Sequence, residues 1–243
     1  MSRQGENRLA ARNGNGMTSV REAAKGPAVS IDIADRPEEL SAIHRPGCAA
    51  AIWRRRPLPS FQSWIDALEP ERLPTARVIL RPGDVREAVV QICDATGTPD
   101  GCERELLVDD TAALADILAG LTPARYLRLR FDVITTNACR KFHIDTVTAR
   151  LVCTYRGTGT QYGISTDGSE PRHVFTVPTG APILLRGKLW PEPTTSGLLH
   201  RSPPIDGTGE TRLVLVLDPL EDPDDDCQTD VVQAARGCHP KMA

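Results

Sequence analysis

The sequence has few aromatic residues, 4% of 243. It therefore lacks the ring surfaces on which single-stranded nucleic acid is usually stacked. It has no run of about 18 apolar residues, so a membrane-spanning helix is excluded. It has no bulk charge: 29 Lys and Arg stand against 32 Asp and Glu, for a formal net charge of −3. A nucleic-acid partner bound by electrostatics is therefore not expected. There is no Gly-x-Ser-x-Gly elbow, which removes a Ser/His/Asp hydrolase. Gly157-Thr158-Gly159 is followed by neither Lys-Ser/Thr nor a helical pattern, so it reads as a turn between strands, not a phosphate loop. The N-terminus has no secretory apolar core, and seven cysteines are an odd number in a chain that is not short. A disulfide framework is not expected, and a reducing, cytoplasmic location is.

Turn-formers are plentiful, with 19 Gly and 20 Pro, which points to a β-rich chain. Residues 1–26 are polar, with Arg3, Arg8, Arg12, Arg21 and Lys25 against Glu6 and Glu22. They read as a disordered leader in which Met17 is an alternative start. Residues 27–220 read as a single domain. Its first part carries an apolar strand at Ala49–Trp53. A helical layer follows over about 57–122. There Ser60 caps Phe61, Trp64, Ile65 and Leu68, a second helix spans Val85–Asp94, and a third spans Thr111–Ala119 and stops at Gly120.

From Tyr126 the texture becomes strand-like. Leu127, Leu129, Phe131 and Val133 alternate with Arg128, Arg130 and Asp132, a period of two. Further strands are expected at Lys141–Val147, Arg150–Tyr155, His173–Val177, Ile183–Leu185 and Arg212–Leu217. Turns separate them at Gly157-Thr158-Gly159, Asp167-Gly168, Pro178-Thr179-Gly180 and Asp206-Gly207. Short strands at this spacing predict a jelly-roll barrel over about 124–220. Residues 221–243 read as an acidic linker and tail.

The chemistry gathers at Phe142-His143-Ile144-Asp145. In a strand, His143 and Asp145 share a face, so one imidazole and one carboxylate can converge on a metal ion. His200 supplies a second imidazole. Two histidines and a carboxylate form the facial triad that suits non-haem Fe(II) and leaves one side open. Arg212 opens the β-like run Arg212–Asp218, where a guanidinium can grip a carboxylate in a fork. Arg150 competes for that role, provided the chain bends near Thr146–Thr148. Taken singly, these residues have plainer readings: His143 as a hydrogen-bonded barrel residue, Asp145 as the ion-pair partner of Arg128 or Arg130. Cys139, Cys227, Cys238 and His239 leave a zinc site open, since thiolate and imidazole suit Zn²⁺.

The order His-x-Asp, distant His, then Arg resembles the 2-oxoglutarate/Fe(II)-dependent dioxygenase superfamily, with Pro178-Thr179-Gly180 at its Pro-x-Gly turn. More narrowly, Cys139–Asp145, Arg150-Leu151, Thr154-Tyr155 and His200-Arg201-Ser202-Pro203-Pro204 resemble a bacterial family known only as a domain of unknown function. Its members are often encoded beside zinc-homeostasis GTPases. The resemblance covers roughly residues 40–220. It implies an α+β double-stranded β-helix with supporting N-terminal helices. It also implies iron ligands His143, Asp145 and His200, and Arg212 on the distal carboxylate of 2-oxoglutarate. The implied reaction is oxidative decarboxylation to succinate and CO₂ with hydroxylation of an unknown substrate. The rival it keeps open is a non-catalytic metal-binding protein on the same barrel, linked to zinc homeostasis and a GTPase partner.

Overall fold

A computed structural model describes residues 26–192 and 194–225. Almost all of the expected leader lies outside the described residues, as do Met17, Cys227, Cys238 and His239. Ten strands and three α-helices are described. The strands are β1 (Ser30–Ala34), β2 (Cys48–Trp53), β3 (Ala76–Leu80), β4 (Tyr126–Ile134), β5 (Ala149–Arg156), β6 (Gln161–Ile164), β7 (Phe175–Thr176), β8 (Pro182–Arg186), β9 (Leu198–Arg201) and β10 (Arg212–Leu220). The helices are α1 (Pro59–Ala67), α2 (Val85–Ala95) and α3 (Cys102–Leu121).

Seven strands form one sheet in the order β1-β2-β8-β5-β10-β4-β3, and three form a second in the order β7-β6-β9. The central run β8-β5-β10-β4 is antiparallel throughout. Its two faces differ. Leu127, Leu129 and Phe131 of β4 and Leu213, Leu215 and Leu217 of β10 lie in one core with α1, α2 and α3. Val214 and Val216 lie in a second core, between the two sheets, with Ile183 and Leu198. That is the period of two read in β4, now assigned: the leucine face meets the helices and the Arg128/Arg130 face looks into the barrel. The chain is an α+β protein whose sheets make a jelly roll.

Several local expectations are corrected. The third helix begins nine residues earlier than the apolar pattern suggested, and Gly120 lies inside it. It ends at Leu121, before Pro123, because proline disfavours helix in the residue before it. Ser60 is not a cap: Pro59 occupies the first helical position after Leu58, where its missing N–H costs nothing. The expected strand His173–Val177 shrinks to Phe175–Thr176. The expected strand Lys141–Val147 reduces to one bridge, His143 with His200, followed by bends at residues 146–148.

Among the described residues, no helix is long and apolar enough to cross a membrane.

Candidate metal centre

The His-x-Asp segment is held by its backbone rather than by a long strand. His143 N donates to His200 O and His200 N to His143 O, both at 3.0 Å, so the two histidines sit side by side on the smaller sheet. Their rings stand 4.6 Å apart. Beyond them, Lys188 N donates to Asp145 O at 2.9 Å and Leu189 N to Val147 O at 3.1 Å. Gly187 permits this approach, because a Cβ there would collide with the Val147 carbonyl.

One ligand atom from each of His143, Asp145 and His200 falls within 4.8 Å of the others. His200 Nε2 lies 2.9 Å from Asp145 Oδ2, and His143 Nε2 lies 3.4 Å from Asp145 Oδ1. His143 Nδ1 is 2.8 Å from the Lys141 carbonyl. Donation there leaves Nε2 as the free, ligating nitrogen. His143 is half-buried, while Asp145 and His200 are buried.

Asp145 is the key to the charge. Burial favours its neutral form, but the Arg150 guanidinium and the two imidazoles beside it overcome that and hold the carboxyl well below the usual range. Burial pulls His200 below the ordinary imidazole value despite Asp145, keeping it in the neutral form a metal needs. At His143 burial acts the same way, but the Asp145 carboxylate 3.4 Å away, together with Cys139, overrides it and raises the value. Both Asp145 oxygens are buried, and neither receives an aligned hydrogen bond, even though Arg150 Nη1 stands 2.6 Å from Oδ1. An anion with cations beside it and lone pairs unfilled suits a bound cation. The residues present therefore fit a divalent metal.

Two arginines came from the sequence as carboxylate anchors, and they differ in what they have left to offer. The bend at 146–148 does turn Arg150 inward. There it is committed: Nε and Nη2 grip the fully buried Asp218 at 2.6 and 2.8 Å, while Nη1 faces Asp145. Arg128 approaches the same Asp218 at 3.4 Å. Asp145's ion-pair partner is thus Arg150, not Arg128 or Arg130.

Arg212 is 1% exposed and meets no carboxylate within ion-pair distance among the described residues. Its Nε donates to the Thr158 carbonyl at 2.6 Å, and its Nη1 is buried with no hydrogen-bond partner among the described residues. Burial lowers its pKa to about 10, against Glu210 and Asp132, so the side chain is a cation at neutral pH.

The turn that holds Arg212 was read as a connector, and it is one, but it also shapes the site. Gly157 has φ +78, and a Cβ on it would come within 2.8 Å of Arg212 Cγ. Thr158 N and Oγ1 both donate to Glu210, at 2.5 and 3.0 Å, which fixes the carbonyl that Arg212 uses. The Gly-Thr-Gly pattern was visible in the sequence. Nothing in it announced Asp218, which closed a hydrophobic run.

The seven-strand and three-strand sheets form a jelly roll that carries the His-Asp-His cluster. The chain is similar to dioxygenase for auxin oxidation 1 from Arabidopsis thaliana, solved as a 2-oxoglutarate complex. The match has TM-score 0.51 and 10% identity over 81% of this chain and 94% of that one. It is also similar to the rice dioxygenase for auxin oxidation, with TM-score 0.48 and 13% identity over 81% and 85%. The first of these carries the fold. No curated protein matches in sequence. The family described as "Protein of unknown function (DUF1826)" matches residues 34–218, and the chain belongs to that family.

Proposed function

We propose that this protein is a non-haem Fe(II)/2-oxoglutarate-dependent oxygenase. In this reading His143, Asp145 and His200 hold the iron, and Arg212 pairs with the distal carboxylate of 2-oxoglutarate. The observation that carries it is the coexistence, in one barrel, of the converging triad and a buried guanidinium with an unmet donor. Each keeps buried polar atoms that no hydrogen bond among the described residues satisfies, the Asp145 oxygens and Arg212 Nη1, and leaving such atoms unmet is costly.

When bound, iron and 2-oxoglutarate supply O₂ activation: the keto acid loses CO₂ to become succinate, and one oxygen atom enters a substrate C–H bond. The chain's own residues bind and orient. The paired backbone bonds of His143 and His200 fix two imidazoles, and Arg150 holds Asp145 against Asp218. The Gly157–Thr158 turn aims Arg212, and Val214 and Val216 are the buried apolar residues between Arg212 and Asp218 on the barrel-facing side of β10.

The test is succinate formation from 2-oxoglutarate by anaerobically purified protein given Fe(II) and then O₂. The expected result is slow uncoupled turnover that His200→Ala abolishes. No succinate above the His200→Ala background overturns the reading.

One observation favours a second reading. Cys139 Sγ lies 3.8 Å from His143 Nδ1, which puts a thiol next to the imidazoles and suits Zn²⁺ in a non-catalytic metal-binding protein. Tight Zn²⁺ retention that Fe(II) cannot displace, together with no succinate, would favour it. The link to a zinc-homeostasis GTPase belongs to this second reading.

A further inference from the structure

Arg130 stands on the same barrel-facing side of the sheet as Arg212, in the register of β4 and β10. It stands on the inner face of β4 opposite Val216, while Arg212 stands opposite Ile134. The two arginines are thus on adjacent strands, about 13 Å apart along the backbone at roughly 3.3 Å per residue, and their long side chains narrow that gap. Arg130 Nε is buried without a hydrogen-bond partner among the described residues. Its ion pair with Asp132 is long, Nη1 to Oδ2 being 4.0 Å, and Asp132 is 43% exposed.

The arginines nearer the metal ligands are committed: Arg150 to Asp145 and Asp218, and Arg128 to Asp218. Burial, helped by the neighbouring Arg150, works against the charged form of Arg130. A bound anion would relieve this. Register places Arg130 between the level of Arg212 and that of Asp218, which Arg150 ties to Asp145.

Resting on the oxygenase reading, we infer that Arg130 binds the carboxylate beside the keto group of 2-oxoglutarate, so that the dicarboxylate is gripped by an arginine at each end. Arg212 takes the far end, and Arg130 takes the end toward the metal ligands.

The test is anaerobic calorimetric titration of Mn(II)-loaded protein. 2-Oxoglutarate is compared with 2-oxopentanoate, which keeps the keto-acid end and lacks the distal carboxylate. Arg130→Met should weaken both ligands by a similar factor, about tenfold or more, the usual scale for a charge-assisted hydrogen bond. Arg212→Met should weaken 2-oxoglutarate and leave 2-oxopentanoate unchanged. Arg130→Lys, which preserves the charge, should recover part of the loss for both ligands, and it replaces Arg130→Met if that variant melts early. Wild-type affinity in the Arg130 variants, or a loss confined to 2-oxoglutarate, overturns the inference while leaving the oxygenase reading intact. No binding of 2-oxoglutarate to the wild-type protein overturns both.

Discussion

On β10, the odd-numbered residues Leu213, Leu215 and Leu217 lie in the dry layer against the helices. The even-numbered ones turn into the barrel: Arg212 at one end, Asp218 near the other, with Val214 and Val216 between them. The outer face gains stability from apolar area removed from water. The inner face carries buried charges, and its two ends are treated differently. Asp218 is fully paired with Arg150 and Arg128, whereas Arg212 keeps an unmet donor. A paired buried charge is part of the structure, whereas an unpaired one is a cost that function must justify.

Asp218→Asn should have the largest effect. It removes the charge that both Arg150 and Arg128 face, and stability should fall by about 3–5 kcal/mol, read by urea unfolding. Leu215→Ala, on the other face, should cost about 2–5 kcal/mol and leave divalent-metal affinity unchanged. If it weakened metal binding as strongly as stability, the two faces would not be separable.

Arg212→Met should behave in the opposite sense. Stability should hold or rise by up to about 1 kcal/mol, because an unsatisfied buried donor is removed, while 2-oxoglutarate affinity drops about 10–100-fold. A loss of stability comparable to that of Asp218→Asn would show that Arg212 is structural. Arg54→Ala, which breaks an exposed pair with Asp35, should change stability by less than about 0.5 kcal/mol and sets the lower limit of the series.

The cluster of His143, Asp145 and His200 was legible in the sequence because each requirement is local or ordinal. His143 and Asp145 are two apart, and the family resemblance pointed to His200 as the second imidazole. The jelly roll was legible through its turns. What was not legible depends on pairing across distance. The His-x-Asp segment carries the alternation of a strand, but its backbone finds a partner only at His200, so pattern alone overextended it. The strands β1 and β3 were not read from the sequence; both are short sheet edges that bury little. Arg150 could be placed only by knowing that the chain bends after Asp145. The role of Asp218 follows from two arginines that lie 68 and 90 residues away in sequence.

The most direct test of the central claim is the metal content of the protein. Metal-free protein reloaded with Fe(II) or Mn(II) under anaerobic dialysis should retain one equivalent by elemental analysis. Asp145→Ala and His200→Ala should retain none, with the wild-type far-UV circular dichroism preserved. Retention of a full equivalent by the His200→Ala protein, or none by the wild type, would contradict the assignment of His143, Asp145 and His200 as a single metal centre.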